Sequence, residues 1–237
     1  MTISTKIPSD AGEAVGDRAS LIRDQLRSAI IDRRLGPGTK LSEQEIGGLY
    51  SVSRTVAKSA LQMLTFEGLV RTERNRGAFV AHPSPEEARQ VFASRRLIEP
   101  GIVTAACRRF TEADRVSFDE QLRKESTHIA ARGPEARRAE IKASGEFHLL
   151  LAGVAGNAIL LRFMEELVAR SSLVIALYGR SGVSTCGHDD HRQIADAVAA
   201  GNESRAIELL IRHVAHIEAD LDLRESSGSA LREALML

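Results

Sequence analysis

Apolar residues recur at helical spacing from Arg18 to Arg34, at Leu21, Ile22, Leu26, Ala29 and Ile30. Asp17 is placed to cap that run and Gly36-Pro37-Gly38 to end it. Residues 41–80 then read as a helix, a turn, a second helix and a short two-stranded wing. In the second helix Ala57, Ala60, Leu61 and Leu64 fall on the inward face, and Gly68 ends it before the first wing strand. His82-Pro83-Ser84-Pro85 interrupts the pattern, because two prolines two apart can neither continue a strand ladder nor sit inside a helix. Beyond that boundary nothing reads as a strand. Residues 86–110 form one long amphipathic pattern, and Thr111, with Asp114 at the N3 position of a capping box, opens a helix to about residue 132. Further helices follow over 135–155, from Asn157 to about Tyr178, over 188–200 and over 203–223, with a loop at 179–187.

The predicted fold class is mainly α: an N-terminal winged helix-turn-helix (17–82), a linker (83–86) and a C-terminal all-helical antiparallel bundle (87–224). Residues 1–16 read as a flexible arm and 225–237 as a short polar tail. The net charge of zero hides an asymmetry. Residues 1–82 carry 12 Lys+Arg against 9 Asp+Glu, and the remainder 20 against 23. A mildly basic head on a mildly acidic body suits a protein whose head alone touches nucleic acid. Two distant cysteines give neither a disulfide framework nor a thiolate zinc site. The first residues lack the features of a signal peptide, and no apolar run approaches the roughly 20 residues that span a bilayer. The chain therefore reads as soluble and cytoplasmic, with no membrane partner.

In a helix-turn-helix the second helix enters the major groove and its first residues meet base edges. Ser51-Val52-Ser53 supplies the turn and cap, which puts Arg54, Thr55 and Lys58 on the first two turns, Arg54 and Lys58 on one face. Arginine can grip guanine with a fork, whereas lysine is a point charge suited to phosphate. Arg71, Arg74 and Arg76 crowd the wing, with Gly77 where positive φ is expected. The candidate DNA-contacting residues are Gln44, Ser53, Arg54, Thr55, Lys58, Arg74, Arg76 and Gly77. The run LSEQEI…VSRTVAKSAL…EGLVRTERNRGAFV resembles the winged-helix head of GntR-type bacterial transcription regulators, over about residues 17–82. That family usually has Pro-Val-Arg-Glu after Ser-Arg-Thr, where this chain has Val56-Ala57-Lys58-Ser59. The resemblance implies double-stranded operator DNA as partner, with a lysine in place of a DNA-contacting arginine.

His148, His191 and His213 lie on three different predicted helices. Three converging imidazoles make a site for zinc, nickel, manganese or iron, although a lone histidine on an apolar face is more often a satisfied core residue. The helical body resembles the FCD effector domain of the FadR subfamily, and its six helices are similar to the VanR-type subset. The residues that carry this are Arg95-Arg96-Leu97-Ile98-Glu99, Phe147-His148, Gly156-Asn157, Asp190-His191-Arg192-Gln193-Ile194-Ala195, Gly201-Asn202 and His213. That resemblance implies a divalent metal as cofactor, held in the family by one Asp and three His. The position of the Asp, four before the first histidine, is Ser144 here. Glu146 lies about 200° from His148 around the helix and is no substitute. Arg95 matches a family arginine that faces the effector cavity, where a guanidinium can take a carboxylate in a two-nitrogen fork. An ion pair with Glu99 at i+4 is the alternative. Arg96 reads as solvated, and Asn157, Arg162 and Tyr178 are further effector-binding candidates.

The sequence thus predicts a homodimeric transcription regulator, with repression as the expected sense, that senses a small organic acid through a metal-bearing bundle. It predicts no enzyme. Two alternatives are a metal-dependent enzyme using the three histidines and a DNA-binding protein whose body only dimerises. Against the enzyme stands the lack of a general base: Asp189 and Asp190, the carboxylates nearest a histidine, sit at a helix start where capping accounts for them.

Overall fold

The computed structural model describes residues 15–130, 133–180 and 188–224, so the expectations for most of the arm, most of the 179–187 loop and the tail fall outside the described residues. The chain divides into two units, residues 1–82 and 83–237.

The first unit runs α1 (Val15–Ile31), β1 (Lys40–Leu41), α2 (Glu43–Tyr50), α3 (Arg54–Phe66), β2 (Val70–Glu73) and β3 (Gly77–Val80). Helix α1 is already formed at Val15, so Asp17 is not its cap. It lies in the first turn, where its charge complements the positive end of the helix dipole. Ile22, Leu26 and Ile30 of α1 and Ala57, Ala60, Leu61 and Leu64 of α3 are buried, and the two helices pack together. Between α2 and α3 the chain reverses at Ser51, which is left-handed at φ 53°. There Val52 N–H donates to Gly47 C=O at 3.0 Å. A Cβ on Gly47 would stand 3.1 Å from Val52 O, so glycine permits the turn. The wing is three-stranded, not two-stranded. The order is β1-β3-β2, all antiparallel, with Lys40 opposite Phe79 and Leu41 opposite Ala78. At the tip of the β2–β3 hairpin Asn75 and Gly77 both have positive φ.

The second unit is a bundle of α4 (Pro85–Arg109), α5 (Glu112–Ala130), α6 (Pro134–Val154), α7 (Ala158–Tyr178), α8 (His188–Ala199) and α9 (Glu203–Ala219). Pro85 does not precede α4 but opens it at the N-terminal turn, where a missing N–H costs nothing. Ser84 Oγ caps the helix from Glu87 N at 3.1 Å. The capping box of α5 is closed both ways, Asp114 N–H donating to Thr111 Oγ1 and Thr111 N–H to Asp114 Oδ2. An isolated bridge pairs Gly179 with Leu221 beyond the ends of α7 and α9.

Two apolar clusters fill the bundle. One contains Ile102, Phe118, Phe147, Leu151, Met164, Val168 and Leu210; the other contains Phe92, Ile141, Val174, Val214 and Ile217. Along α4, α6, α7 and α9 the chain passes from one cluster to the other through buried polar residues: Arg95 and Glu99, Ser144, Ser171 and Ser172, and His213. The site lies in that polar layer. Beside it α6 and α7 approach closely, because a Cβ on Gly145 would meet Val168 Cγ1 at 2.8 Å. Gly145→Ala should therefore destabilise the protein by about 1–3 kcal/mol through overpacking. Gly153, also on α6 but facing open space, should tolerate alanine with a gain of about 0.5–1 kcal/mol. Chemical denaturation of the two variants checks both signs.

Candidate metal centre and nucleic-acid interface

His148 on α6, His191 on α8 and His213 on α9 are all at most 2 % exposed. One ligand nitrogen from each lies within 4.8 Å of the others. A carboxylate holds every outer nitrogen: His148 Nδ1 meets Glu99 Oε2 at 2.7 Å, His191 Nδ1 meets Glu125 Oε2 at 2.8 Å, and His213 Nδ1 meets Asp190 Oδ2 at 3.4 Å. A carboxylate accepts, so Nδ1 carries the hydrogen and each Nε2 lone pair turns inward. His148 Nε2 is buried without a partner, and His191 Nε2 stands 2.9 Å from His213 Nε2. Two lone pairs that close repel unless they share a cation or one of the nitrogens carries a hydrogen. Two nitrogens each about 2.1 Å from one ion lie roughly 3 Å apart, so the donor set fits a divalent metal. The Phe147 ring, stacked on His191 at 4.1 Å, walls the centre with carbon.

Electrostatics keep the imidazoles neutral, the state in which they ligate. Burial drives His148 down to about 4, with Glu99 opposing and the Arg95 charge adding to the fall. Burial likewise brings His213 to about 4, helped by His191, and holds His191 well below its ordinary value. Glu99 behaves in the opposite sense. Burial alone would raise its carboxyl, but Arg95 and His148 outweigh it and hold the carboxyl well below the usual range.

Arg95 is 2 % exposed and makes the i+4 ion pair with Glu99, one of the two alternatives its sequence position offers. Its Nε donates to Glu99 Oε1 and its Nη1 to Ser171 Oγ at 3.3 Å, while Nη2 is buried with no partner. The expected two-nitrogen fork is thus already engaged by the protein, and one nitrogen remains. Ser144 is buried one turn before His148, and Glu146 points to the surface beside Lys142. Arg96 is not simply solvated: it pairs with Glu218 of α9. Three effector candidates lie elsewhere. Asn157 is exposed and its side chain caps α7 through Ile159 N and Leu160 N; Arg162 is exposed; Tyr178 donates its hydroxyl to Pro83 O at 2.7 Å. Glu125 was not anticipated, although its place three residues after Leu122 and seven after Phe118 puts it on the buried face of α5. Asp190 was assigned to capping alone.

On the head, Arg54, Thr55 and Lys58 are exposed at the start of α3, and Ser53 caps that helix from Val56 N. Gln44 of α2 accepts from Arg54 Nη2 at 3.1 Å. In the wing Arg74 and Arg76 are exposed beside Gly77. Arg76 pairs with Glu73 and lies 5.4 Å from the Phe79 ring.

A winged helix-turn-helix joined to a helical body with a closed polar centre defines a one-component sensor that binds DNA. Residues 18–80 match the model of bacterial regulatory proteins of the gntR family, and residues 90–216 match the FCD domain. The chain belongs to the GntR family and carries an FCD domain; it is a ligand-responsive, DNA-binding transcription regulator and not an enzyme. It is 28% identical over 206 residues to the HTH-type transcriptional regulator LutR of Bacillus subtilis (strain 168), covering 78% of this chain and 92% of that protein. It is 29% identical over 199 residues to the protein named "Probable D-xylose utilization operon transcriptional repressor" of Paenarthrobacter nicotinovorans, covering 83% of this chain and 85% of that protein. The solved structure titled "putative transcriptional regulator GntR from Rhodococcus sp. RHA1" superposes with a TM-score of 0.72 at 29% identity, over 86% of this chain and 96% of that one.

The lowered histidines imply a pH dependence. Their folded-state values near 4 lie below the ordinary 6.5, so the unfolded chain binds protons first as pH falls. Metal-free protein should hold its stability above about pH 6.5 and lose it progressively as pH drops towards 4. Urea titrations across that range read the slope, and a flat profile would contradict the burial of neutral imidazoles.

Proposed function

We propose that this regulator senses a small organic acid at a divalent metal held by His148, His191 and His213. The carrying observation is that one ring nitrogen from each of three buried histidines lies within 4.8 Å of the others, while Glu99, Glu125 and Asp190 reach the three Nδ1 atoms. Carboxylates in this position orient imidazole ligands and raise their basicity. Arg95 supplies the positive group for the acid. Zinc, nickel, manganese and iron all suit such a nitrogen set. Repression relieved by the acid is the proposed sense, in keeping with the Paenarthrobacter relative, which is named as a repressor.

On the DNA side, Gln44, Ser53, Arg54, Thr55, Lys58, Arg74, Arg76 and Gly77 form the proposed contact surface, and two copies of the chain read a pseudo-palindromic operator in the cytoplasm. Among the described residues no helix is long and apolar enough to cross a membrane. Pairing of the bodies gives a role to large exposed apolar side chains on α4 and α7, which pack together: Leu97 is 82% exposed, Ile159 57% and Phe163 52%.

Thermal melting of chelator-treated protein tests the sensor. Zinc, nickel, manganese or iron should raise the midpoint, His213→Ala should abolish the rise, and Glu125→Ala should weaken metal binding by about 10–100-fold. No response to any of these metals would end the metal reading. On the operator, Arg54→Ala should cost about 1–3 kcal/mol and relax base preference at one position. Lys58→Ala should weaken all sequences alike and reduce the salt dependence by about one counterion. Fluorescence anisotropy at several salt concentrations separates the two behaviours.

A further inference from the structure

The three-stranded sheet of the wing has one face on the core, where Leu41, Val70, Ala78 and Val80 are buried. Its register puts Lys40, Phe79 and Arg71 in one row across the strands and Glu73 opposite Gly77 two positions along, so these residues share the other face. Arg76, at the hairpin tip, has its guanidinium 5.4 Å from the Phe79 ring. Lys40 Cε stands 3.7 Å from the place a Cβ on Gly77 would take. Glu73 is the only carboxylate in the three strands, and it sits among these cations. Its oxygens are divided between two of them. Oε1 takes Arg71 Nη2 at 3.1 Å and Oε2 takes Arg76 Nη1. A phosphodiester likewise offers two charged oxygens, and guanidinium groups bind carboxylate and phosphate in the same way.

We propose that Glu73 occupies the place of a DNA phosphate between Arg71 and Arg76 and thereby holds down sequence-independent binding by the head. Two anions cannot share that pair, so the DNA backbone reaches the arginines only by displacing Glu73. Both arginine side chains are exposed, and exposed ion pairs are weak enough to exchange. Binding that ignores sequence rests almost wholly on phosphate contacts, which makes it the part that Glu73 limits. This rests on the DNA-contact surface proposed above and adds Arg71 and Glu73 to it.

Fluorescence anisotropy with the full-length protein and a random-sequence duplex, at several salt concentrations, tests this. Glu73→Gln should tighten binding by about three- to tenfold and steepen its salt dependence by about one counterion, because one more phosphate is held. In an R71A/R76A background the same change should have no effect. A Glu73 that only braced the hairpin would act with the opposite sign, so weaker binding by E73Q would overturn the proposal. Unchanged binding by E73Q, with R71A/R76A still weakening it, would overturn the proposal and leave the wing contact standing. Tightening that persists in the R71A/R76A background would also overturn it, as an effect of net charge alone. If neither E73Q nor R71A/R76A alters binding, the wing contact and the proposal fall together.

Discussion

The body of this regulator is organised around one carboxylate. Glu99, 2 % exposed, gives Oε1 to Arg95 Nε and Oε2 to His148 Nδ1. An ionised carboxylate without partners could not remain there, because its desolvation would cost several kcal/mol. With both partners it fixes the Arg95 charge inside the bundle and sets the His148 tautomer, which turns Nε2 towards His191 and His213. Such a buried pair adds little net stability compared with well-packed apolar residues. Its effect is orientation: one side chain holds both the Arg95 guanidinium and the His148 ring in the polar layer.

The surrounding packing makes that orientation rigid. Apolar clusters lie on both sides of the polar layer, Phe92 and Val214 on one and Phe147, Leu151 and Leu210 on the other. Side chains at interior density cannot shift without opening cavities. Phe147 serves both roles, as it is wholly buried in the core and stacks on the His191 ring. Water is thereby kept from the imidazoles, and burial keeps them neutral.

Much of this was legible in the sequence, where a period or a cap carries the information. The six bundle helices, the capping box at Thr111 and Asp114, and the inward row of α3 follow from apolar spacing and end signals. Strand β1, with two residues, is too short to show any period. Pro85 looked like a breaker because a proline reads alike before a helix and in its first turn. The histidines stood out because they occupy apolar faces, but their partners did not. Glu99 shares its helix with Arg95, so that pair is local, whereas its bond to His148 spans 49 positions and only the fold brings them together. Glu125 left a trace in its spacing from Phe118 and Leu122. In the structure Asn157 caps α7 and Tyr178 donates to the Pro83 carbonyl, partners that sequence spacing alone does not reveal, because a polar residue near a helix end serves the fold as readily as a ligand.

The place of Tyr178 suggests how the centre reaches the rest of the chain. Helix α4 begins at Pro85, directly after the boundary between the two units, and carries both Arg95 and Glu99. Helix α7 carries Ser171 against Arg95, Arg170 against Glu87 in the first turn of α4, and Tyr178 against the Pro83 carbonyl. The same two helices therefore meet the polar layer with one part of their length and the end of the linker with another. A ligand can bias the protein only by binding one arrangement better than another. On the proposed reading, a carboxylate taken up by Arg95 acts on α4 itself, a continuous helix whose start is the point where the linker enters the body. No separate relay is then needed between the chemistry of the centre and the segment that leads to the DNA-binding head.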